Sequence, residues 1–505
     1  MLGPWRQHSE YVAFVLTTLK ELVETDPERV IEYKDEISKM LILDLDPMKE
    51  VVPELYSDTG RPALNQPEIY RCLILQKSLK MTITGFHEKL LTNRVIRTIA
   101  GFTKDNVPGI GSLYDLMYRL YPINEEPVLR TPYPKPKPKE KLKKGEKMPP
   151  KNPGITAQLS DMIINKQPHF ESLLNRRQER YLQKIFARVS LDRSVSLGII
   201  PTTISTSGDG TCIKTGACPK GKKVCKCKEN GIFKCTCDRK YTDPNANWGW
   251  DSHNERFYYG YSGYFLSTYC RELKTDLPVH LKLVQANRHD SIPTFFALAE
   301  FKGLNPNLHI DTFISDSASD NYGTYNVLNH WGINAVVALN STNDGNNKYP
   351  PALEIDDNGI PICPGGNKMV YNGFCKNRCR IKWRCPRALN KAEPCDACNS
   401  CSPSSYGRVI YTKPSWDLRL FTIIPRGSDL WKSKMKERTA AERVNKQIMQ
   451  DYRMENTTVR SKKRIFFYIT AAAMNIHLDA QLKFMIEKGM FNFYDLFGFN
   501  SQLAA

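Results

Sequence analysis

The stretch HIDTFISD, His309 to Asp316, is rich in β-branched and apolar residues and closes on a carboxylate. That composition predicts a strand over His309–Ser315 with Asp316 at its end. Downstream, Asn321–Trp331 has helical spacing, and INAVVAL, Ile333 to Leu339, is the apolar run of a buried strand. Upstream, Ile292–Phe301 reads as a helix. Before it, PVHLKLVQ, Pro278 to Gln285, alternates apolar and polar residues as a half-buried strand does, and Phe257–Tyr269 is aromatic and β-rich. A further β-branched run, Thr202–Gly208, ends at Asp209. The expected order is β, β, β, α, β, α, β.

Antiparallel strands followed by βα alternation is an α/β assignment, with the outline of an RNase H-like mixed sheet. In such a sheet Asp209, within SGDGT, and Asp316, within ISDSASDNYG, sit at strand ends that share one edge. The glycines beside Asp209 admit close approach of another backbone. Asp320 rivals Asp316 but falls a turn into the next segment. A third carboxylate, Glu442, lies in MKERTAAERVNKQIMQDY, a charged helical pattern. A helix packed across the edge would bring it to the two aspartates. Three such groups suit two Mg²⁺ (or Mn²⁺) ions about 3.5–4 Å apart, one activating a hydroxyl and the other stabilising the leaving oxygen of a phosphodiester. Arg438, Glu442 and Lys446 share a helix face at i, i+4 and i+8. That pattern serves a surface ion-pair ladder as well as a pair of cations beside a bound phosphate. His289 and Asp290, after the third strand, are accessory candidates.

The chain of 505 residues is long enough for several domains, and its 72 lysines and arginines against 53 acids, a net charge of +19, point to a polyanionic partner, nucleic acid first. No apolar run approaches the ~20 residues of a membrane span, and MLGPWRQHSE lacks a signal-peptide layout, so a cytoplasmic protein without membrane contact is expected. Residues 1–125 read as an all-α N-terminal DNA-binding domain, with helical spacing in Tyr11–Val23, Ile69–Leu79 and Phe86–Ile99 and a last helix near Ser112. Residues 126–200 comprise a basic Pro/Lys linker, Pro132–Pro153, and two helices, Ile155–Leu174 and Asn175–Val189. Alternating Pro-Lys excludes a helix interior and stays extended, suited to following a phosphate backbone. The first part of the catalytic core is then 201–345, with a cysteine hairpin at 212–237. A cysteine-rich insertion occupies 346–404, and the remainder of the core occupies 405–505.

Thirteen of the fifteen cysteines fall between Cys212 and Cys237 or between Cys363 and Cys401. Clustering in a chain without a secretion signal favours metal sites over disulfides. In VCKCKENGIFKCTC, Val224 to Cys237, Asn230-Gly231 signals a hairpin on which Cys225, Cys227, Cys235 and Cys237 share a face, a structural Zn²⁺ site. Cys212 or Cys218 could replace one of the four. In the second cluster the C-x2-C spacing suggests Cys385, Cys395, Cys398 and Cys401 as a second structural Zn²⁺ site, with Cys363, Cys375 and Cys379 also available.

An ordered set of segments resembles the DDE transposases of bacterial insertion sequences, in the branch with a helical N-terminal domain before an RNase H-like core. The segments are GRPALNQPEIYRCLILQ at Gly60, NVPGIGSLYDLMYRL at Asn106, GDGT at Gly208, DPNANWGWDS at Asp243, NRHDS at Asn287, DSASDNYGTYNVLNHWGINAVVALN at Asp316 and ERTAAERVNKQI at Glu437. The resemblance implies that Asp209, Asp316 and Glu442 are the catalytic trio. It further implies Mg²⁺-dependent cleavage at transposon ends, attack of the freed 3′-hydroxyl on target DNA, and a homodimer in the active complex. Arg438 matches the arginine of the family's third motif. The tyrosine and distal lysine of that motif fall on Met435 and Met449, a departure that leaves Lys446 as the substitute cation. Two rival classes remain on the same residues: a metal-dependent nuclease that never joins strands, and a DNA-binding protein with an inactive core.

Overall fold

Six strands form the central sheet: β1 (Thr203–Lys214), β2 (Asn247–Asp251), β3 (Arg256–Cys270), β4 (Thr275–Gln285), β5 (His309–Ser315) and β6 (Asn334–Val337). Their spatial order is β4-β3-β1-β5-β6, with β2 paired to the Arg256–Gly260 stretch of β3. β3 runs antiparallel to β1 and β4, whereas β1, β5 and β6 run parallel. The computed structural model describes residues 1–122, 127–132, 154–340, 349–391, 395, 401–455 and 457–499. The Pro/Lys stretch 133–153 lies outside them.

The chain is a mixed α/β structure. The strands expected from sequence are present, with two differences. β1 does not stop at Asp209 but continues to Lys214, because β3 pairs with it from Ser207 to Lys214. β4 is buried along nearly its whole length rather than half-buried. Its polar residues are covered, not solvated: Lys282 binds Glu179 at 2.8 Å and also Glu300, and His280 meets Glu300 at 3.1 Å. Gln183 adds a bond to Glu300 at 2.9 Å. Burial alone would raise both glutamates, yet the Lys282 ammonium outweighs it and holds both below the usual carboxylate range.

Every helix or strand described in 1–122 is helical, including α1 (His8–Thr25), α2 (Gln66–Ser78) and α3 (Ile110–Arg119). The helix expected over Phe86–Ile99 is two helices, since Asn93 caps the second by accepting from the Ile96 amide at 3.1 Å. Likewise Ile155–Leu174 divides at Lys166, where Pro168 opens a new helix. Beyond β4 come α4 (Ser291–Leu304), α5 (Tyr322–His330) and α6 (Thr439–Lys446). The long α7 (Lys462–Glu487) is buried on nearly all sides, so it is a central helix rather than an amphipathic cover. It joins the N-terminal helices to the sheet: Asn475 donates to Ile74 O at 3.1 Å on α2, and His477 meets Pro278 O at 2.7 Å on β4. No helix among the described residues is long and apolar enough to cross a membrane.

Described residues between 349 and 421 build a satellite core around Trp383, Ile381, Met369 and Phe421. Its three-stranded antiparallel sheet, Val370–Cys375, Arg380–Arg384 and Val409–Thr412, extends past residue 404. Replacing Lys282 with methionine would leave Glu179 and Glu300 buried together without their closest cation, with Arg177 at 3.7 Å from each. The expected cost is about 3–5 kcal/mol of stability, read as a lower denaturation midpoint, and adding Glu179→Gln with Glu300→Gln should restore much of it.

Candidate active site and candidate metal centre

The register of two parallel strands sets the level of the first two carboxylates. Ser207 of β1 pairs with Ile314 of β5, so Asp209 and Asp316, each two residues farther on, leave neighbouring strands at the same height. There the parallel pairing ends while β1 continues against β3. Asp316 caps the turn that follows, accepting from the Ala318 amide at 3.0 Å. Asp320 is committed elsewhere: it is buried and chelated by Arg419, with Nη2–Oδ2 at 2.8 Å, and accepts from Tyr325 Oη at 2.8 Å. Asp316 is therefore the half-buried aspartate of that segment open to chemistry, and Asp320 braces the return of the chain from the satellite core.

The glycines of SGDGT make room for side chains, not for another backbone. A Cβ on Gly208 would stand 2.2 Å from Tyr264 Oη, and one on Gly210 would stand 2.4 Å from Asp290 Oδ1. Asp290, from the segment before α4, is thus pressed against β1. Burial, followed by the charges of Asp290 and Asp316, pushes the Asp209 carboxyl up to about 7; Glu442 acts in the same sense and Arg438 opposes. Burial and then Asp316 push Asp290 up to about 6. Crowded like charges raise each other's pKa, and a divalent cation relieves that crowding. Sequence reasoning ranks Asp290 as accessory; the signal for its placement is the glycine at 210, which needs a bulky neighbour to explain it.

Glu442 arrives on α6, whose Ala440, Ala441 and Val444 are buried against the sheet. Small residues let the helix approach closely enough for the Ala441 amide to donate to Ser207 Oγ at 3.2 Å. Arg438 binds Glu442 at 2.6 Å. One turn on, Asn445 donates from Nδ2 to Asp209 Oδ2 at 2.9 Å, while its buried Oδ1 has no partner among the described residues. Sequence reasoning misses Asn445, although its i+3 spacing from Glu442 places both on one side of the helix. The other two candidates are placed differently. Lys446 lines a groove with Arg443, Asp276 and Lys436, and His289 is exposed, its Nδ1 engaged with Ser291 Oγ at 2.9 Å. Met435 packs against Ile314 and Val336, and Met449 is buried in the main core, so neither position offers a polar group.

The hard oxygens of Asp209, Asp316 and Glu442 are the donor type Mg²⁺ or Mn²⁺ takes. They spread more widely than a closed cage: among the described residues no three carboxylates draw their oxygens within 4.8 Å of one another. The thiols do converge. One sulfur from each of Cys225, Cys227, Cys235 and Cys237 lies within 4.8 Å of all the others, with 225–235 and 227–237 at 3.5 Å. A tetrahedral Zn²⁺ at about 2.3 Å from each sulfur needs edges of about 3.8 Å, so this group could hold such an ion. The convergence does not come from strand alternation. The hairpin base is Lys222–Lys223 paired with Arg239–Lys240, and the thiols sit on the loop above, which reverses through Asn230 and Gly231. Gly231 has φ of 76°, which explains the residue there. Cys212 is on β1 beside Tyr258, and neither it nor Cys218 joins the quartet. Of the second set, Cys398 lies outside the described residues; Cys385, Cys395 and Cys401 form no convergent group among those described.

Two outcomes are expected. Asp209 and Asp290 hold their protons more tightly in the folded chain than an unfolded aspartate does. Their contribution to metal-free stability is therefore full below about pH 4 and is lost as pH rises through about 6 to 7. Asp290→Asn should raise the melting temperature at about pH 8, by on the order of 2–3 kcal/mol of stability, and change it little near pH 4. In the second test, zinc measured by atomic absorption should fall by one equivalent per chain in Cys227→Ser with Cys237→Ser.

No family model, no curated protein and no solved structure matches the chain.

Proposed function

We propose that the protein is a DDE-type transposase that cleaves DNA at transposon ends and joins the freed 3′ ends to target DNA. The observation that carries this reading is the pair Asp209 and Asp316, level on adjacent parallel strands, with Glu442 delivered by a helix packed against the Asp209 strand. The sheet order β4-β3-β1-β5-β6, with antiparallel strands on one side of β1 and parallel strands on the other, supports an RNase H-like core. The net charge of +19 supports DNA as the partner, with phosphate contacts giving most of the affinity.

Asp209, Asp316 and Glu442 would hold Mg²⁺, which when bound supplies activation of the attacking oxygen and stabilisation of the leaving one. The chain's own groups prepare that site. Asn445 orients Asp209 through its Nδ2 donor, leaving the other oxygen of Asp209 available. Arg438 holds the Glu442 carboxylate and brings a cation to the acidic edge, where a scissile phosphate needs charge balance. Tyr264, buried and bonded by Thr294 at 2.8 Å, closes the sheet behind Gly208 against water. Asp209, protonated to about pH 7 without metal, releases its proton when the site fills. Cutting should therefore need more Mg²⁺ near pH 6 than near pH 8. Two copies acting on paired ends accords with the chemistry of joining both ends.

The test is strand cleavage and joining on labelled DNA carrying the element's own flanks, with Mg²⁺ or EDTA. Metal-dependent cutting and joining is expected, with a loss of at least about a hundredfold in Asp209→Asn, Asp316→Asn and Glu442→Gln. Cutting without joined product would instead make the protein a nuclease. Binding of the ends without cutting would leave a DNA-binding protein with an inert core.

A further inference from the structure

A cleft of about 970 Å³ lies between the N-terminal helices and the start of α7. Lys77, Lys80, Arg453, Arg460, Lys463 and Arg464 line it, and no carboxylate among the described residues does. In a chain with 53 acids to 72 bases, that is a concentrated placement of like charge. Such charges repel one another unless an anion enters. At the floor, Lys77 of α2 is 7 % exposed, and its ammonium meets the Met454 thioether at 3.2 Å and the face of Tyr468 at 5.3 Å. A thioether is a weak acceptor that leaves the donors of an ammonium largely unmet. Burial accordingly lowers Lys77 to about 8. A buried ammonium without a carboxylate is costly, and the described residues around it offer no anion to offset it.

The walls suit a sugar-phosphate chain. Lys463 lies 4.2 Å from the centre of the Tyr118 ring, and Arg464 donates to Tyr118 Oη at 2.6 Å, so cations and aromatic faces alternate. The cleft is also fixed relative to the carboxylates. Gly216, just past β1, donates to Val459 O in the cleft wall at 2.9 Å. From Asp209 to that point is roughly 20 Å along the strand direction. DNA rises about 3.4 Å per base pair, so this span is roughly six base pairs.

We propose that this cleft grips the phosphodiester backbone of DNA roughly six base pairs from the phosphate processed at Asp209 and Asp316. The inference rests on the transposase reading in taking DNA as the polyanion and Asp209 and Asp316 as the place where its phosphate is processed. Its test is therefore binding, not cutting: fluorescence anisotropy of a labelled duplex with the full chain in EDTA. The combined variant Lys80→Gln, Arg453→Gln and Arg460→Gln should bind at least about tenfold more weakly, and the slope of log K against log salt should become shallower by about three. Lys302→Gln, Lys376→Gln and Lys413→Gln, three exposed lysines outside the cleft and the N-terminal helices, remove the same charge and should leave affinity within about twofold. Equal loss in both triples, or no loss in the first, overturns the proposal. Displacement of the duplex by inorganic phosphate at matched ionic strength also overturns it, since the cleft would then be a free-phosphate site. Lys77→Met should raise the melting temperature by removing a buried charge while weakening DNA binding. Unchanged binding in that variant would overturn the role given to the cleft floor. A chain that loses binding in the first triple yet never cuts would refute the transposase and leave the cleft standing.

Discussion

The alignment of Ser207 with Ile314 across two parallel strands is the constraint from which the candidate site follows. A slip of one residue would turn Asp209 or Asp316 to the opposite face of the sheet. The surroundings hold that alignment firmly. β3 pairs with β1 from Ser207 to Lys214, beyond the point where β5 ends, so β1 carries Asp209 on a strand supported from one side and open on the other. Asp316 stands on the open side, while α6 crosses β1 and β3.

Close approach at this edge depends on small residues at specific points. Gly208 yields space to Tyr264, Gly210 to Asp290, and Ala440 with Ala441 lets α6 lie on β1. The result is an electrostatically tense arrangement, in which burial and like charge keep Asp209 and Asp290 protonated well above the ordinary aspartate range. The scaffold beneath is, by contrast, balanced in charge and hydrogen-bonded. Lys282, Glu179, Glu300 and His280 form a satisfied buried network under β4, and α7 ties the same strand to the N-terminal helices through His477 and Asn475. A site that stores repulsion is built on one that has neutralised its own.

Much of this is legible in the sequence, and the exceptions have physical causes. HIDTFIS can be read because β-branched residues bounded by polar ones have few alternatives, and its observed limits are those expected. Asp209 can be placed on a strand, but not in its middle, since glycines weaken the strand signal while β3 supplies pairing that no local pattern reveals. PVHLKLVQ looks half-buried because alternation reports polarity, not whether a partner such as Glu300 covers the polar face. Asn445 escapes notice, and Asp290 is ranked only as accessory, for the same reason: their roles are defined by what faces them from distant segments. The thiols of 225–237 can be grouped from spacing, although a loop rather than two strands brings them together.

The central claim is that the edge bearing Asp209 and Asp316 is a divalent-cation site. Its most direct test is the electron paramagnetic resonance of Mn²⁺ added to the full chain at neutral pH, with the thiol quartet loaded with zinc beforehand. Bound Mn²⁺ in wild type, abolished in Asp209→Asn with Asp316→Asn and weakened in Glu442→Gln, is the expected result. Equal Mn²⁺ binding in wild type and in the double variant would contradict the account, as would no binding in either.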